Sequence, residues 1–236
     1  MKPPAVASTL SSEAYESVRR RILRGELSLG ESISRRRIAA ELGMSFLPVS
    51  EALMKLEFEG LLESRPRAGT RVRIPSREDV QGHYIVREAL ETQAARLFAQ
   101  LATPRERSEL KKLAARCDSL FQKADRLIYL QLHERLHRRI AEYARCQALS
   151  HAIEQTHSLA STWLCVQGGP LLEKLDRPHQ NLVEGLCARD ADMAAEAMRT
   201  HVQTSLQRTM IRLAPYFRLR ESRGKKFLRK SKALSA

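Results

Sequence analysis

The stretch Ser34-Arg-Arg-Arg-Ile-Ala-Ala-Glu-Leu-Gly-Met-Ser-Phe-Leu-Pro-Val-Ser-Glu-Ala-Leu-Met-Lys-Leu-Glu-Phe58 decides the fold of the N-terminal part of this chain. Ile38, Ala39 and Leu42 recur at helical spacing before the Leu-Gly-Met-Ser joint, and Val49, Ala52, Leu53 and Leu56 recur after it. Gly43 stands where a helix ends in a left-handed residue, and Ser45 stands where a hydroxyl would cap the next one. Two helices at a steep angle around such a turn form a helix-turn-helix, whose second helix enters the DNA major groove. Pro48 fits the first turn of that helix, where amides lack intrahelical partners in any case. On pattern alone the alternative is an αα-hairpin in an ordinary helical domain.

The flanking sequence favours the DNA-binding reading. Upstream, residues 1–10 read as a disordered lead. From Ser12 to Gly25, Tyr15, Val18, Ile22 and Leu23 give a helix with Arg19, Arg20, Arg21 and Arg24 on its other faces. Glu26 to Ile33 reads as a turn. Downstream, Leu61 to Ile74 contains two short runs around a Pro/Gly turn, a small β-hairpin of the kind that forms the wing of a winged helix. Its tip places Arg65, Arg67 and Arg71 around Gly69 and Thr70, which suits phosphates or a minor groove.

Pro75-Ser76 marks a boundary, after which strand signals vanish. Helices are expected over about 77–102, then from the Thr103-Pro-Arg-Glu106 start signal to about 123. A third spans about 125–144, a fourth runs from about 147 to Gly168-Gly-Pro170, a fifth covers about 171–189, and a sixth runs from the Asp190 cap to Leu213. The expected fold is mostly α, a winged helix-turn-helix with a small hairpin wing followed by an antiparallel all-α bundle. The domains are 10–75 for DNA binding, 77–214 for the bundle, and 215–236 as a basic, disordered tail.

Composition sets limits on function. The chain has 236 residues, 41 Lys+Arg against 27 Asp+Glu, and a formal charge of +14, which favours a polyanionic partner. No apolar run approaches the length of a membrane span, and the first residues do not make a signal peptide. The protein is therefore expected in the cytoplasm. Cys117, Cys146, Cys165 and Cys187 are scattered without a C-x-x-C pair and read as small buried residues. Aromatic content of 5% disfavours a stacking RNA-binding surface.

Among the histidines, His133 and His137 are four apart and share one helix face. His179 and His201 lie on the two helices that follow later. Antiparallel neighbours could bring all four imidazoles to one interior point, a donor set suited to zinc, nickel, copper or iron(II). The remaining His83, His151 and His157 show no comparable spacing.

Residues 14–74 resemble the winged helix of GntR-family bacterial transcription regulators. The resemblance rests on Ile22-Leu-Arg-Gly-Glu-Leu27, Gly30-Glu31, Ile38-Ala-Ala-Glu-Leu-Gly-Met-Ser45, Pro48-Val-Ser-Glu-Ala-Leu53, Leu56-Glu-Phe-Glu-Gly-Leu61 and Gly69-Thr-Arg-Val72. The helical half resembles that family's FCD effector-binding domain, the fatty-acid-regulator branch. Its signals are Val86-Arg-Glu-Ala-Leu-Glu91, Leu136-His137, and His179 and His201 flanking Gly185-Leu-Cys-Ala-Arg-Asp190 and Met198-Arg-Thr-His201. What this implies is a dimeric regulator that reads a palindromic double-stranded operator and binds a small organic-acid or sugar-acid effector, often through a metal. The family commonly holds its metal with an Asp and three His. Here His137, His179 and His201 match the three His, and His133 stands where the Asp usually is. The implied cofactor is a divalent transition metal, zinc or nickel first. Arg87 looks like the guanidinium that clamps an effector carboxylate, with a surface ion pair to Glu91 as the other reading.

The recognition helix departs from the family's usual Ser-Arg-Thr-Pro-Val-Arg. It reads Ser45-Phe-Leu-Pro-Val-Ser50, without either arginine. Phe46 and Leu47 then suit thymine methyls, and Arg35, Arg36, Arg37 and the wing arginines suit phosphates. Arg36 matches a family DNA contact. The DNA-facing set is thus Arg35, Arg36, Arg37, Ser45, Phe46, Leu47, Pro48, Ser50, Arg65, Arg67, Gly69, Thr70 and Arg71. Competing classes are a metal-dependent enzyme using the histidine cluster, disfavoured because no nucleophile or carboxylate base is placed beside it, and a metabolite-binding dimer that has lost DNA binding.

Overall fold

Helix α1 (Leu10–Arg24) starts at Thr9, whose hydroxyl accepts from the Ser12 amide at 3.1 Å, and stops at Gly25 in the left-handed region. In the computed structural model of the chain, residues 9–66, 69–120, 126–164 and 177–233 are described. They fall into two compact units that divide after Ile74. The first carries β1 (Ser32–Ile33), α2 (Arg35–Leu42), α3 (Phe46–Phe58), β2 (Leu62–Arg65) and β3 (Gly69–Val72).

The turn between α2 and α3 forms as its residues dictate. Ser34 caps α2 through the Arg37 amide, and Gly43 closes it at φ +63°. The Met44 amide reaches back to the Ala39 carbonyl, so the last orphan carbonyls of α2 are satisfied. Ser45 takes the cap position of α3, but its hydroxyl makes no capping bond. Val49, Ala52, Leu53 and Leu56 bury one side of α3 against α1 and α2 together with Val18, Ile38 and Leu27. Each such side chain withdrawn from water contributes about 1.5–3 kcal/mol before entropy is counted.

The wing is a three-stranded antiparallel sheet in the order β1-β3-β2, with Arg65 opposite Gly69 and Leu62 opposite Val72. Ser32 and Ile33, expected in a turn, form its edge by pairing with Arg71 and Thr70. Ile33 buries there, which converts the turn into a strand.

The second unit is built from α4 (Arg77–Leu101), α5 (Pro104–Leu120), α6 (Arg126–Tyr143), α7 (Gln147–Leu164), α8 (Pro178–Leu186) and α9 (Ala191–Ala233). Reciprocal capping boxes start α4 at Ser76/Asp79 and α5 at Thr103/Glu106. Asp190 accepts the Asp192 and Met193 amides at the start of α9. Helix α4 packs along α9, α7 and α6, while α5 packs on α6 and α8. The buried Arg107 closes α4 by donating to the Ala102 and Ala99 carbonyls at 3.1 and 2.7 Å, and reaches the Leu186 carbonyl at 3.3 Å.

Two differences from the sequence reading stand out. Helix α9 does not stop at Leu213. It passes Pro215 and is helical to Ala233, where a disordered tail from 215 to 236 was expected. Buried Leu213 and Phe217 straddle the proline, and Arg77 lies 4.7 Å over the Phe217 ring, so packing holds the helix across the missing hydrogen bond. The expected fifth helix is described only over Pro178–Leu186, because 171–176, Cys165 and the Gly168-Gly-Pro170 break lie outside the described residues. Cys117 is buried, and burial pushes its thiol up to about 12, as an apolar core role requires.

Candidate functional site

The outward side of α3 is apolar at its first turn: Phe46 is 54% and Leu47 67% exposed. Such side chains have no partner within the domain, and a DNA groove offers thymine methyls to match them. Arg36 and Arg37 are exposed, the latter 3.4 Å from Glu41. Arg35 behaves differently. It is half-buried and lies against the wing, with Nη2 3.4 Å from the Thr70 hydroxyl. Thr70 is itself buried and shares a hydrogen bond of 3.0 Å with Ser64. The Ser50 hydroxyl is also turned inward. Thr70 and Ser50, expected at the DNA face, thus belong to the packing behind it.

The wing is fastened to α3 by Glu57, which accepts from both the amide and the hydroxyl of Ser64 at 2.8 Å. Arg71 is bound to Glu63 at 2.6 Å, with Arg65 3.5 Å from the same carboxylate. Part of the wing's positive charge is therefore neutralised locally. Gly69 holds φ +74°, which a side chain would strain. Arg67 lies outside the described residues.

In the second unit the histidine constellation closes. His133 and His137 from α6 and His201 from α9 present one donor atom each within 4.8 Å of one another. The His179 ring, from α8, lies 5.2 Å from that of His133 and 5.4 Å from that of His201, centroid to centroid. It does not join the closest donor set. Burial, followed by the mutual effect of neighbouring imidazoles, pushes His133 and His201 well below the ordinary histidine range. His137 is lowered to about 3, chiefly by burial and by His157. The cluster is neutral at physiological pH, which is the form that ligates metal.

Two carboxylates orient these rings. Glu91 on α4 accepts from Nδ1 of His137 at 2.7 Å, leaving Nε2 of His137 buried without a hydrogen-bond partner. Asp118 on α5 accepts from Nδ1 of His179 at 2.6 Å and also from the backbone amides of His179 and Gln180. Asp118 thereby caps α8 from another helix, at a start where Arg177 offers no side-chain cap. A carboxylate on one ring nitrogen fixes the tautomer and offers the other as a ligand. Nδ1 of His133 is likewise buried and unpartnered. Unsatisfied inward ring nitrogens in an otherwise bonded interior fit a divalent transition metal.

Arg87 takes neither reading given for it. It is 2% exposed, its Nε donates to Glu91 at 2.7 Å, and its Nη2 meets Nε2 of His157 at 3.2 Å. The pair with Glu91 exists, but in the core. Burial opposes ionisation of Glu91, yet Arg87, His137 and His157 outweigh it and hold the carboxyl well below its usual range. Beside the imidazoles opens a cavity of about 510 Å³, walled by α6, α8 and α9 and including Tyr129, His133, His179, His201 and Arg208. That size lies within the range of small-molecule sites, roughly 300–1,000 Å³.

Residues 10–72 match the family described as bacterial regulatory proteins, gntR family, and residues 83–204 match the FCD domain. The chain belongs to the GntR family. A curated relative from Paenarthrobacter nicotinovorans, named a probable D-xylose utilization operon transcriptional repressor, is 30% identical over 86% of this chain and 89% of its own. The Escherichia coli HTH-type transcriptional repressor RspR is 24% identical over 82% and 86%. Among solved structures, E. coli McbR/YncC superposes with a TM-score of 0.68 at 21% identity, over 86% of this chain and 97% of that one. A GntR regulator from Rhodococcus sp. RHA1 gives 0.68 at 20% identity, over 86% and 98%. These two structures bear on the fold alone.

This GntR protein is a DNA-binding transcription regulator of the FCD type, not an enzyme. No helix among the described residues is long and apolar enough to cross a membrane. Sequence reasoning missed Asp118 and His157, and considered Glu91 only as a surface partner. Glu91 had a local signal, four residues after Arg87. Asp118 and His157 meet the centre only through tertiary packing.

Proposed function

We propose that this regulator works as a cytoplasmic homodimer whose helical domain holds a divalent transition metal, zinc or nickel, and uses it to bind a small organic-acid or sugar-acid effector. The observation that carries this reading is the set of buried imidazoles at His133, His137 and His201, with inward nitrogens lacking partners, beside a ligand-sized cavity. His179, held by Asp118 on the same cavity wall, completes the set by a small rotation of its ring. An all-imidazole centre carries less negative charge than the family's mixed one and so prefers borderline metals over hard cations. When bound, the metal supplies a Lewis-acidic point for a carboxylate or hydroxyl oxygen. The protein's own part is to keep the rings neutral, oriented and dry. Arg87 serves the centre from behind by holding Glu91.

On the DNA side, α3 enters the major groove with Phe46 and Leu47 at its leading end, while Arg36, Arg37 and the arginines of the wing meet phosphates. Effector binding in the bundle shifts the spacing of two recognition helices and so the affinity for a palindromic operator. The printed function of the P. nicotinovorans relative, repression of a sugar-utilization operon, accords with a sugar-acid effector.

The test is elemental analysis of purified protein alongside a footprint on the DNA flanking its own gene. Wild type is expected to carry close to one metal per chain and to protect a palindrome. His137→Ala and His201→Ala are expected to lose the metal. Unchanged metal content in both variants would sink the centre, and absence of any footprint at moderate salt would sink the operator reading.

A further inference from the structure

We infer that Arg208 is the anion-binding end of the cavity, and that the effector is a polyhydroxylated acid lying along α9 between this guanidinium and the imidazole centre. This rests on the effector reading above. One face of α9 lines the cavity with Thr200, His201, Thr204, Ser205 and Arg208, recurring at helical spacing. From His201 to Arg208 the helix rises about 10 Å. The cavity is therefore long, with nitrogen ligands at one end and a permanent cation at the other.

Arg208 is the Lys or Arg that lines this cavity among the described residues, since Arg87 is committed to Glu91 and His157 in the core. The acid on the wall, Glu196, is largely exposed and paired with Arg199, which places it at the rim. Burial lowers the pKa of Arg208, and the Tyr129 phenol counters part of that effect. A partly desolvated guanidinium gains more from an entering carboxylate than one in open water. Between the two ends the wall is hydroxylic, with Thr200 and Thr204 one turn apart and Ser205 held in place by Tyr84 at 3.1 Å. Hydroxyls about 5–6 Å apart match a ligand bearing its own hydroxyls in series. An apolar acid would leave them without partners, at a cost in affinity. A very short acid would reach one end only.

The experiment uses full-length protein loaded with nickel and follows its thermal unfolding. Probes are straight-chain aldonates of four to six carbons, the alditols of the same lengths, and acetate. At least one aldonate is expected to raise Tm in proportion to log concentration, with alditols and acetate at least ten-fold weaker. Arg208→Gln is expected to weaken that aldonate by about ten- to a hundred-fold, the loss of one charge-assisted contact. Arg208→Lys should restore part of it, and both variants should keep wild-type metal content. Equal responses to aldonate and alditol, or an unchanged response in Arg208→Gln, overturn the proposal. Protein that binds an aldonate through Arg208 yet holds no nickel would refute the metal centre and leave this site standing. Protein that holds nickel but responds to no aldonate would refute this site alone.

Discussion

Nδ1 of His137 and Oε2 of Glu91 lie 2.7 Å apart, with both side chains buried. Glu91 also holds Arg87 at 2.7 Å, so one carboxylate neutralises a buried guanidinium and orients an imidazole at once. A buried charge left without its partner costs far more than the pair contributes. The arrangement ties the stability of the bundle to the geometry of the candidate centre.

Replacing Glu91 by Ala therefore strands Arg87 in the core. The expected loss is about 3–5 kcal/mol in urea unfolding of the protein. Arg87→Met together with Glu91→Leu removes both charges and should recover most of that loss. A single Glu91→Ala variant as stable as wild type would mean that Arg87 finds water or another partner.

The buried rings also set a pH response. His133, His137, His157 and His201 all have pKa values lowered below the ordinary 6.5 in the folded chain, His137 to about 3. Below pH 6.5 the unfolded chain takes up protons that these folded rings refuse, so stability rises with pH across this window. It is fully present above about 6.5 and lost progressively as pH falls. Glu91, whose carboxyl is also lowered, adds to the loss with the same sign below its ordinary 4.5. In metal-free protein, Tm should be flat from pH 8 to 7 and fall steadily from 6.5 to 5. A Tm independent of pH over that range contradicts burial of the rings as neutral groups.

What the sequence made legible here is local, and what it hid is tertiary. The Gly43 closure, the Ser76 and Thr103 boxes and the four-residue spacing of His133 and His137 each involve neighbours in the chain, so residue order carries them. Asp118 meets His179 across 61 positions, and His157 meets Arg87 across 70. No spacing rule encodes such contacts. Pro215 misled for a related reason, because its intrinsic helix-breaking tendency is real but is overridden by burial of Leu213 and Phe217 on either side.

Close approach of α8 and α9 beside the cavity depends on one missing side chain. A Cβ at Gly185 would stand 2.5 Å from that of Ala197, closer than carbon atoms tolerate. Gly185→Ala must then push two helices apart that carry His179 and His201. Overpacking of this kind costs about 1–3 kcal/mol, more than the roughly 0.5–1 kcal/mol that removing a helical glycine returns. The variant should lower Tm and weaken metal retention, and Ala197→Gly in the same chain should relieve both. If the second substitution brought no relief, the clash would not be the cause.

The leading turn of α3 gives the last prediction. Phe46 and Leu47 are exposed where related regulators present arginine and threonine, so their contribution to operator choice is apolar contact. A thymine methyl rewards a phenyl ring, whereas guanine offers O6 and N7 acceptors that a phenyl ring leaves unpaired. Phe46→Arg should therefore move preference at the facing base pair from thymine toward guanine, by roughly 1–3 kcal/mol if the fork reaches both acceptors. Added phosphate attraction would instead raise affinity for every sequence alike and steepen its salt dependence. Selection from a randomised operator library at two salt concentrations separates these outcomes. A uniform, salt-sensitive gain with unchanged base preference would show that position 46 faces the backbone of the DNA and not its bases.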